Sequence, residues 1–392
     1  MKMNKWTTGL TAAGVVSLAS VAQAGDANET VMTAVSSTTL SGYVSTTAIW
    51  NPGTGNLAGV PNVPLRGGSA AAQDGFNVDI VSLSVSKALD ESEWAAGYNA
   101  QLWIGDTVAS PNAVLGGGAV GIKNANVDLR VPVGNGIDIK MGIFDSIIGY
   151  EGSDYNTNPN YTRSFGWGLE PTTHEGVLLS YNVNEMISVS AGVANANIPT
   201  LGGLALPSES QKSYMGAVAL TAPDSMGFLS GAVLYAGVVD GLVAAGNLAD
   251  TTSIYVGATI PTPVEGLAAG ISWDYRLENG PSAGVNTGTA ATSGAWASAL
   301  AGYVSYDVTE KIAAHYRIDW ATGTDGSFGA AAVNNNSEDK VLSNTLTLDY
   351  KAWENVISRL ELRWDHSLDA VDRYGANDRN DITVAANVIY QF

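Results

Sequence analysis

A glycine string, three histidines and two acidic runs are the residues of this chain whose types and spacing could do chemistry. Gly116-Gly-Gly118-Ala-Val-Gly121 has the G-x-G-x-x-G spacing with which backbone amides cradle a pyrophosphate. Such a site needs a helix N-terminus directly after the glycines, whereas the residues after Gly121 alternate like a strand. The string therefore reads as a flexible outward loop. His174, His315 and His366 are scattered without the paired spacing of a zinc site, and the chain has no cysteine. The acidic stretches Ser337 to Asp339 and Asp365 to Asp381 lack the ordered D-x-[DN]-x-[DN]-G spacing of a calcium loop and read as a solvated rim. No Ser, His and Asp constellation with a local catalytic motif is present. No catalytic residue, metal site or cofactor is expected, and the chain is not read as an enzyme.

Charge recurs more regularly inside alternating segments. In Gly266 to Leu277, Leu267, Ala269, Ile271, Trp273, Tyr275 and Leu277 share one parity, and Ser272, Asp274 and Arg276 lie on the other. Ile312, Ala314, Tyr316, Ile318 and Trp320 alternate with His315, Arg317 and Asp319. Val356, Leu360, Leu362 and Trp364 alternate with Arg359, Glu361, Arg363 and Asp365. Successive side chains of a strand point to opposite faces, so all these charges project to one side. Asp128, Arg130, Asp138 and Lys140 extend the pattern. On a membrane barrel the charged side is the lumen, where Ser272 and Glu361 would face water and tolerate a new charge.

The elements that must position these residues are about sixteen strands, near 39–50, 76–87, 93–105, 122–132, 136–145, 174–182, 186–195, 213–221, 227–238, 251–260, 266–277, 295–307, 311–320, 340–351, 356–365 and 381–392. The second holds two phases, because Phe76, Val78 and Ile80 lie on the opposite parity to Val81, Leu83 and Val85; a bulge or a displaced start reconciles them. Connections alternate between short turns, such as Ala222 to Met226, and long polar segments, such as 51–75, 146–173 and 278–294. Trp50, Trp94, Trp273, Tyr275, Trp320, Tyr350, Trp364 and Tyr390 fall near the ends of apolar strand faces, where interfacial girdles lie. The expected fold is an all-β, transmembrane, antiparallel up-and-down barrel with short periplasmic turns and long outer loops.

Composition agrees with one large β body, since only 14% of residues are charged and glycine occurs 45 times. Lys2 and Lys5, the apolar stretch Leu10 to Val21 and Ala22-Gln23-Ala24 have the order of a secretory signal, with cleavage expected after Ala24. The domain reading is a signal peptide at 1–24, a flexible leader at 25–38 and a barrel at 39–392. No later apolar run approaches the roughly 20 residues of a spanning helix. The formal net charge of -19 disfavours nucleic acid as a partner.

The closing segment Asp381-Ile-Thr-Val-Ala-Ala-Asn-Val-Ile-Tyr-Gln-Phe392 carries an uninterrupted apolar parity ending on Tyr390 and Phe392. It resembles the last strand of outer-membrane barrels of double-membraned bacteria, and that resemblance implies recognition of Tyr390 and Phe392 by the barrel assembly machinery. Asn158 to Tyr181, the opening Leu40-Ser-Gly-Tyr-Val-Ser-Thr-Thr-Ala-Ile-Trp-Asn51 and Leu89-Asp-Glu-Ser-Glu-Trp-Ala-Ala-Gly-Tyr98 look like the OmpL-like β-barrel porins. The resemblance implies a pore without naming its solute.

The most informative connection lies between Phe144 and Glu175, the third on the long-loop side. It carries Glu151, Asp154, Arg163 and Glu170 among Tyr150, Tyr155, Tyr161, Phe165 and Trp167. General porins narrow their channel by folding the third loop inward, and the aromatics here could pin such a loop to the wall. These four charges are the candidate constriction, with Arg163 facing an acid across the bore or beside it. The expected function is passive diffusion of small hydrophilic solutes, with a weak cation preference because the charges assigned to the lumen nearly cancel and the acid excess lies in loops and turns. A structural or adhesive barrel with a closed lumen is the alternative. Outer-membrane lipid and lipopolysaccharide are the expected surroundings, and a homotrimer is compatible with the reading.

Overall fold

The computed structural model describes residues 38–52, 75–105, 120–197, 211–242, 250–279, 294–324, 327–328, 338–369, 374 and 378–392. The signal and nearly all of the leader read from the sequence lie outside the described residues, as do Gly116 to Ala119 of the glycine string.

The strands are β1 (Thr39–Trp50), β2 (Gly75–Lys87), β3 (Ala96–Ile104), β4 (Val120–Val131), β5 (Ile137–Asp145), β6 (Thr173–Asn182), β7 (Ile187–Ala194) and β8 (Ser213–Thr221). They continue as β9 (Val233–Leu242), β10 (Asp250–Pro261), β11 (Leu267–Asn279), β12 (Ala295–Asp307), β13 (Ile312–Gly323), β14 (Asp339–Tyr350), β15 (Val356–Ser367) and β16 (Asn380–Gln391). Every strand pairs antiparallel with its chain neighbours, and β1 pairs with β16, which closes a sixteen-stranded barrel. Both ends of the closed sheet lie at the short-turn side. There the amide of Gly42 donates to the Phe392 carbonyl at 2.9 Å and the Phe392 amide donates back at 3.0 Å. A methyl group on Gly42 would overlap the Phe392 ring and the Ser82 carbonyl, so only glycine lets the last residue close the seam.

Alternation sets the two faces. On β14, Leu346 and Leu348 are exposed outward while Thr345, Thr347 and Asp349 are buried inward; on β15, Leu360 and Leu362 face out while Arg359, Glu361 and Arg363 face in. Such a surface would be unstable in water, because large apolar side chains cover the outside and the ions are inside. In a bilayer it is the favourable arrangement, since closure also satisfies every strand edge. Trp50, Trp94, Trp273, Trp320, Tyr350, Trp364 and Tyr390 are all exposed on the outer face. Some of these rings keep their polar tips bonded: Trp273 Nε1 donates to Ser298 Oγ at 3.0 Å and Trp364 Nε1 to Asn380 Oδ1 at 3.0 Å.

An arginine at Ala269 or Leu362, both on the outer parity, should therefore reduce the folding free energy by about 2 to 4 kcal/mol near the midplane. Serine 188, half-buried on the inner parity of β7, should accept Ser188→Arg with little loss. Urea titration of refolding into vesicles reads both, and equal penalties on the two faces would defeat the assignment. The inner positions Ser272 and Glu361 are not the wet controls that parity alone implies. Both are buried inside the barrel, for the reason given below.

Two strands break phase. The β1–β2 register passes from Ser45↔Ile80 to Thr46↔Val78, leaving Asp79 as the extra residue of a bulge, which reconciles the two parities of this segment. The β3–β4 register passes from Gln101↔Asn124 to Leu102↔Ile122, which makes Lys123 a second extra residue. Strand β9 begins later than alternation implies, because the turn before it runs from Ala222 to Ala232 and contains the 3-10 segment Asp224–Leu229. Pro223 starts that segment and Gly227 and Gly231 take positive φ within the turn, so the apolar residues Met226 and Phe228 belong to it and not to the strand.

Candidate functional site

A 27-residue connection without regular strands would leave many backbone groups without partners if it entered a barrel alone. The β5–β6 connection, residues 146–172, enters the barrel, and the wall supplies those partners. The amides of Tyr161 and Thr162 donate to the Glu361 carboxylate at 2.6 and 3.0 Å, and the Phe165 amide donates to Asp319 at 2.6 Å. The loop's carbonyls are taken by arginines. Arg317 donates to the Thr162 carbonyl at 2.7 Å, Arg363 to that of Arg163 at 2.6 Å, and Arg359 to that of Tyr155 at 2.8 Å. Arg276 reaches the Leu169 carbonyl at 3.4 Å. Charge-assisted bonds of this kind are stronger than neutral ones, and they fix the loop against β11, β13 and β15.

The loop's rings and aliphatic residues hold it on three sides. Ile147, Ile148 and Tyr150 join Leu178, Met215, Tyr235 and Tyr255 on an inner wall that is apolar along β6 to β10. Tyr155, Tyr161 and Trp167 pack with Tyr43, Ile80, Trp103 and Ile389, while Phe165 and Leu169 meet the alanines of β12 and Phe328. Tyr150 stacks on Tyr303 with ring centroids 4.0 Å apart. The lumen is thus polar on one arc and apolar on another, and the loop spans both.

Glu151 is buried, accepts from Arg317 Nη1 at 2.7 Å and takes the Ser164 amide at 2.6 Å. Asp154 accepts from the Tyr43 hydroxyl and Gln101 Nε2, each at 2.9 Å, so it is tied to β1 and β3. Arg163 does not face an acid across the bore. It is fully buried and its guanidinium donates to the backbone carbonyls of Gly152, Ser153, Asp154, Asn160 and Tyr161. A planar fork of donors can gather several carbonyls at once, so this residue closes the loop upon itself. Burial lowers its ordinary guanidinium value, partly opposed by Glu151.

Glu170 is hydrogen-bonded to the carboxyl of Asp274 on β11. Burial, together with the neighbouring Asp274 and Glu151 charges, holds the Glu170 carboxyl well above the usual carboxylate range. The sign follows from that direction. A raised folded-state value means that this tether is fully present below the ordinary carboxylate value and is lost as pH rises through the elevated one. Conductance should therefore increase on the alkaline side, and Glu170→Gln, which keeps the neutral donor, should remove the increase; an unchanged alkaline rise in the variant would rule out this pair as its source.

The inner charges split into dry and wet groups. Arg317–Glu151, Arg359–Asp349 and Arg363–Asp365 have side chains 0 or 1% exposed, whereas Arg130–Asp138 is 27 and 32% exposed and Lys140–Asp128 is 27 and 22% exposed. Depth alone does not explain the difference, since Arg359 and Asp128 each lie three residues from the short-turn end of their strands. The loop covers β11 and β13 to β15 and leaves the short-turn halves of β4 and β5 open. A cavity of about 150 Å³ opens between the loop's two arms beside Asp145, Glu151, Asp154 and Glu170. The buried Thr172 hydroxyl, which has no hydrogen-bond partner among the described residues, lines it too.

Asp79 and Lys123 are missing from the charges that alternation assigns to the lumen, because each is the extra residue of a bulge, for which the two phases of its strand give opposite faces. In β2 the two apolar phases mark the bulge in the sequence, and in β4 the change of parity from Val120 and Ile122 to Val127 and Leu129 is the signal that could have revealed the other. In place, Asp79 accepts from Ser45 at 2.7 Å and from the loop's Tyr161 hydroxyl at 2.8 Å. Lys123 pairs with Asp145 and lies 5.4 Å over the Trp103 ring. Among the described residues no cluster of three or more His, Asp or Glu side chains could hold a metal ion.

Residues 37–392 match the model of the family described as "Putative beta-barrel porin-2, OmpL-like". No curated protein matches the chain. Among solved structures, the chain is similar to OmpT, an outer membrane protein of Vibrio cholerae, with 12% identity and a TM-score of 0.57 over 93% of this chain and 100% of that one. It is similar to an anion-selective porin from Comamonas acidovorans with 11% identity and a TM-score of 0.58, over 91% and 99% of the two chains. The outer membrane channel DcaP of Acinetobacter baumannii gives 10% identity and 0.59, over 92% and 99%. At these identities the likeness is one of fold.

Proposed function

The chain belongs to the OmpL-like β-barrel porin family, and we propose that it is a pore for passive diffusion of small hydrophilic solutes across the outer membrane, narrowed by its third loop. The observation that carries this reading is the wet strip of ionised side chains on β4 and β5 beside a loop that packs against other arcs of the inner wall. A narrow aqueous bore strengthens the field of any charge on it. Asp154, which lines the loop cavity, supports a weak preference for cations. The long connections face outward toward lipopolysaccharide and the short turns face the periplasm, with Tyr390 and Phe392 at the periplasmic rim for the barrel assembly machinery. A homotrimer agrees with this assignment.

The loop's contacts on three arcs of wall support a second reading, a structural or adhesive barrel with a closed lumen. Planar-bilayer recording of purified protein separates the two. Stepwise currents with a reversal potential displaced toward cations in a salt gradient are expected, and a silent bilayer would favour the closed barrel. Tags inserted in 280–293 should be labelled on intact cells, whereas labelling of tags in the turn 351–355 would reverse the orientation.

A further inference from the structure

Two partly exposed ion pairs follow one another along the open part of the inner wall, and a third, whose lysine is fully buried, stands at its head. Arg130 pairs with Asp138 at 2.7 Å, Lys140 stands 3.9 Å from Asp128, and Lys123 pairs with Asp145 at the root of the loop. Read from the short-turn end, the charges run plus, minus, plus on β4 and minus, plus, minus on β5. The strip is neutral in sum and dipolar at every rung. Asn126 donates to Asp128 at 3.0 Å and Asn124 to Asp145 at 3.2 Å, so polar groups continue between the rungs.

A neutral strip of alternating sign has no long-range attraction for a simple cation or anion. It does offer two partners at once to a solute that carries both charges. Resting on the pore reading above, the geometry points to selection of small zwitterionic solutes, with an ammonium and a carboxylate several bonds apart, by the β4–β5 strip. Opposite charges two residues apart on one strand stand about 7 Å apart, a separation that a dipeptide-sized zwitterion spans in extended form. Partly exposed ion pairs are weakly held, so a passing solute can replace one partner at a time, and the 3.9 Å Lys140–Asp128 pair is the looser of the two open ones. The pairs on β13 to β15 cannot take this part, because the loop covers them.

The test is swelling of proteoliposomes containing the full protein, in glycylglycine or in the uncharged, similarly sized N-acetylglycinamide. In the wild type glycylglycine should enter faster by about twofold or more, as expected where a narrow charged bore concentrates a matching solute. Replacing one rung, Asp128→Asn with Lys140→Gln, leaves net charge unchanged and should bring the ratio of the two rates close to one. A second pair of substitutions, Arg130→Gln with Asp138→Asn, should lower the ratio too and serves if the first variant fails to fold. Equal entry of both solutes in the wild type would overturn the inference while leaving the pore reading intact, as would a ratio that survives both paired substitutions. Entry of neither solute into vesicles shown to hold folded barrel would instead remove the pore reading itself.

Discussion

Deletion of Asn156 to Gly166 is expected to raise single-channel conductance severalfold while the barrel still assembles. The deleted segment carries Tyr161, Thr162, Arg163 and Phe165, and with them the amides bound to Glu361 and Asp319 and the carbonyls bound to Arg317 and Arg363. Its removal takes the covering off the inner faces of β13 and β15. Those charges then meet water, so their solvation replaces the loop's hydrogen bonds and no ion is stranded in a dry interior. Assembly survives because the strand ladders and the outer apolar face do not involve the segment. Bilayer recording combined with electrophoretic mobility of the folded form reads both outcomes. A deletion that leaves conductance and ion choice unchanged would mean that the loop is not the constriction.

Arg317→Met has the second large effect, a loosened loop in an intact barrel. Arg317 donates to Glu151 at 2.7 Å, to the Thr162 carbonyl at 2.7 Å, to the Arg163 carbonyl at 3.1 Å and to the hydroxyls of Thr162 and Thr345 at 3.2 and 3.1 Å. Among the described residues it is the one wall arginine that ties both arms of the loop, since Glu151 lies near the start and Thr162 near the return. Breaking a buried pair by removing one partner typically costs about 3 to 5 kcal/mol, because the other charge stays behind without its counter-ion. The variant should show noisy currents and protease cleavage within residues 151–165. Adding Glu151→Leu removes the orphaned carboxylate and should restore much of the lost protection. Quiet wild-type currents and full protease resistance in Arg317→Met alone would show that the loop is held elsewhere.

The strand number and the two faces were legible in the sequence because a membrane barrel imposes them locally. Each strand must place apolar residues toward lipid and polar ones inward with period two, and each pair must be joined by a short turn or a long loop. The stretches around Asp274, Arg317 and Glu361 carried that pattern without reference to any other segment, and the third loop's charges and rings marked it as special. Where the pattern is broken by one added residue, at Asp79 and Lys123, alternation leaves the face of the charge undecided, and only the register shift places it. The turn before β9 showed the same limit, since Phe228 and Leu229 are as apolar as a strand, and the 3-10 segment with its positive-φ Gly227 and the following Gly231 takes them out of it.

Which charges are wet was decided by tertiary structure alone. Parity treats Asp128 and Glu361 alike, as inward carboxylates on alternating strands, yet one is open to water and the other accepts two amides from a loop 200 and 199 residues away. The same holds for Arg163, which has the composition of a pore-lining charge and instead binds the carbonyls of its own loop. Strand faces follow from neighbours two residues apart, but the solvation of a buried ion depends on what the chain brings against it from far along the sequence. That physical difference is why the sequence by itself determined the barrel and the candidate loop, and only the folded chain decided which inner charges the loop covers and which it leaves wet.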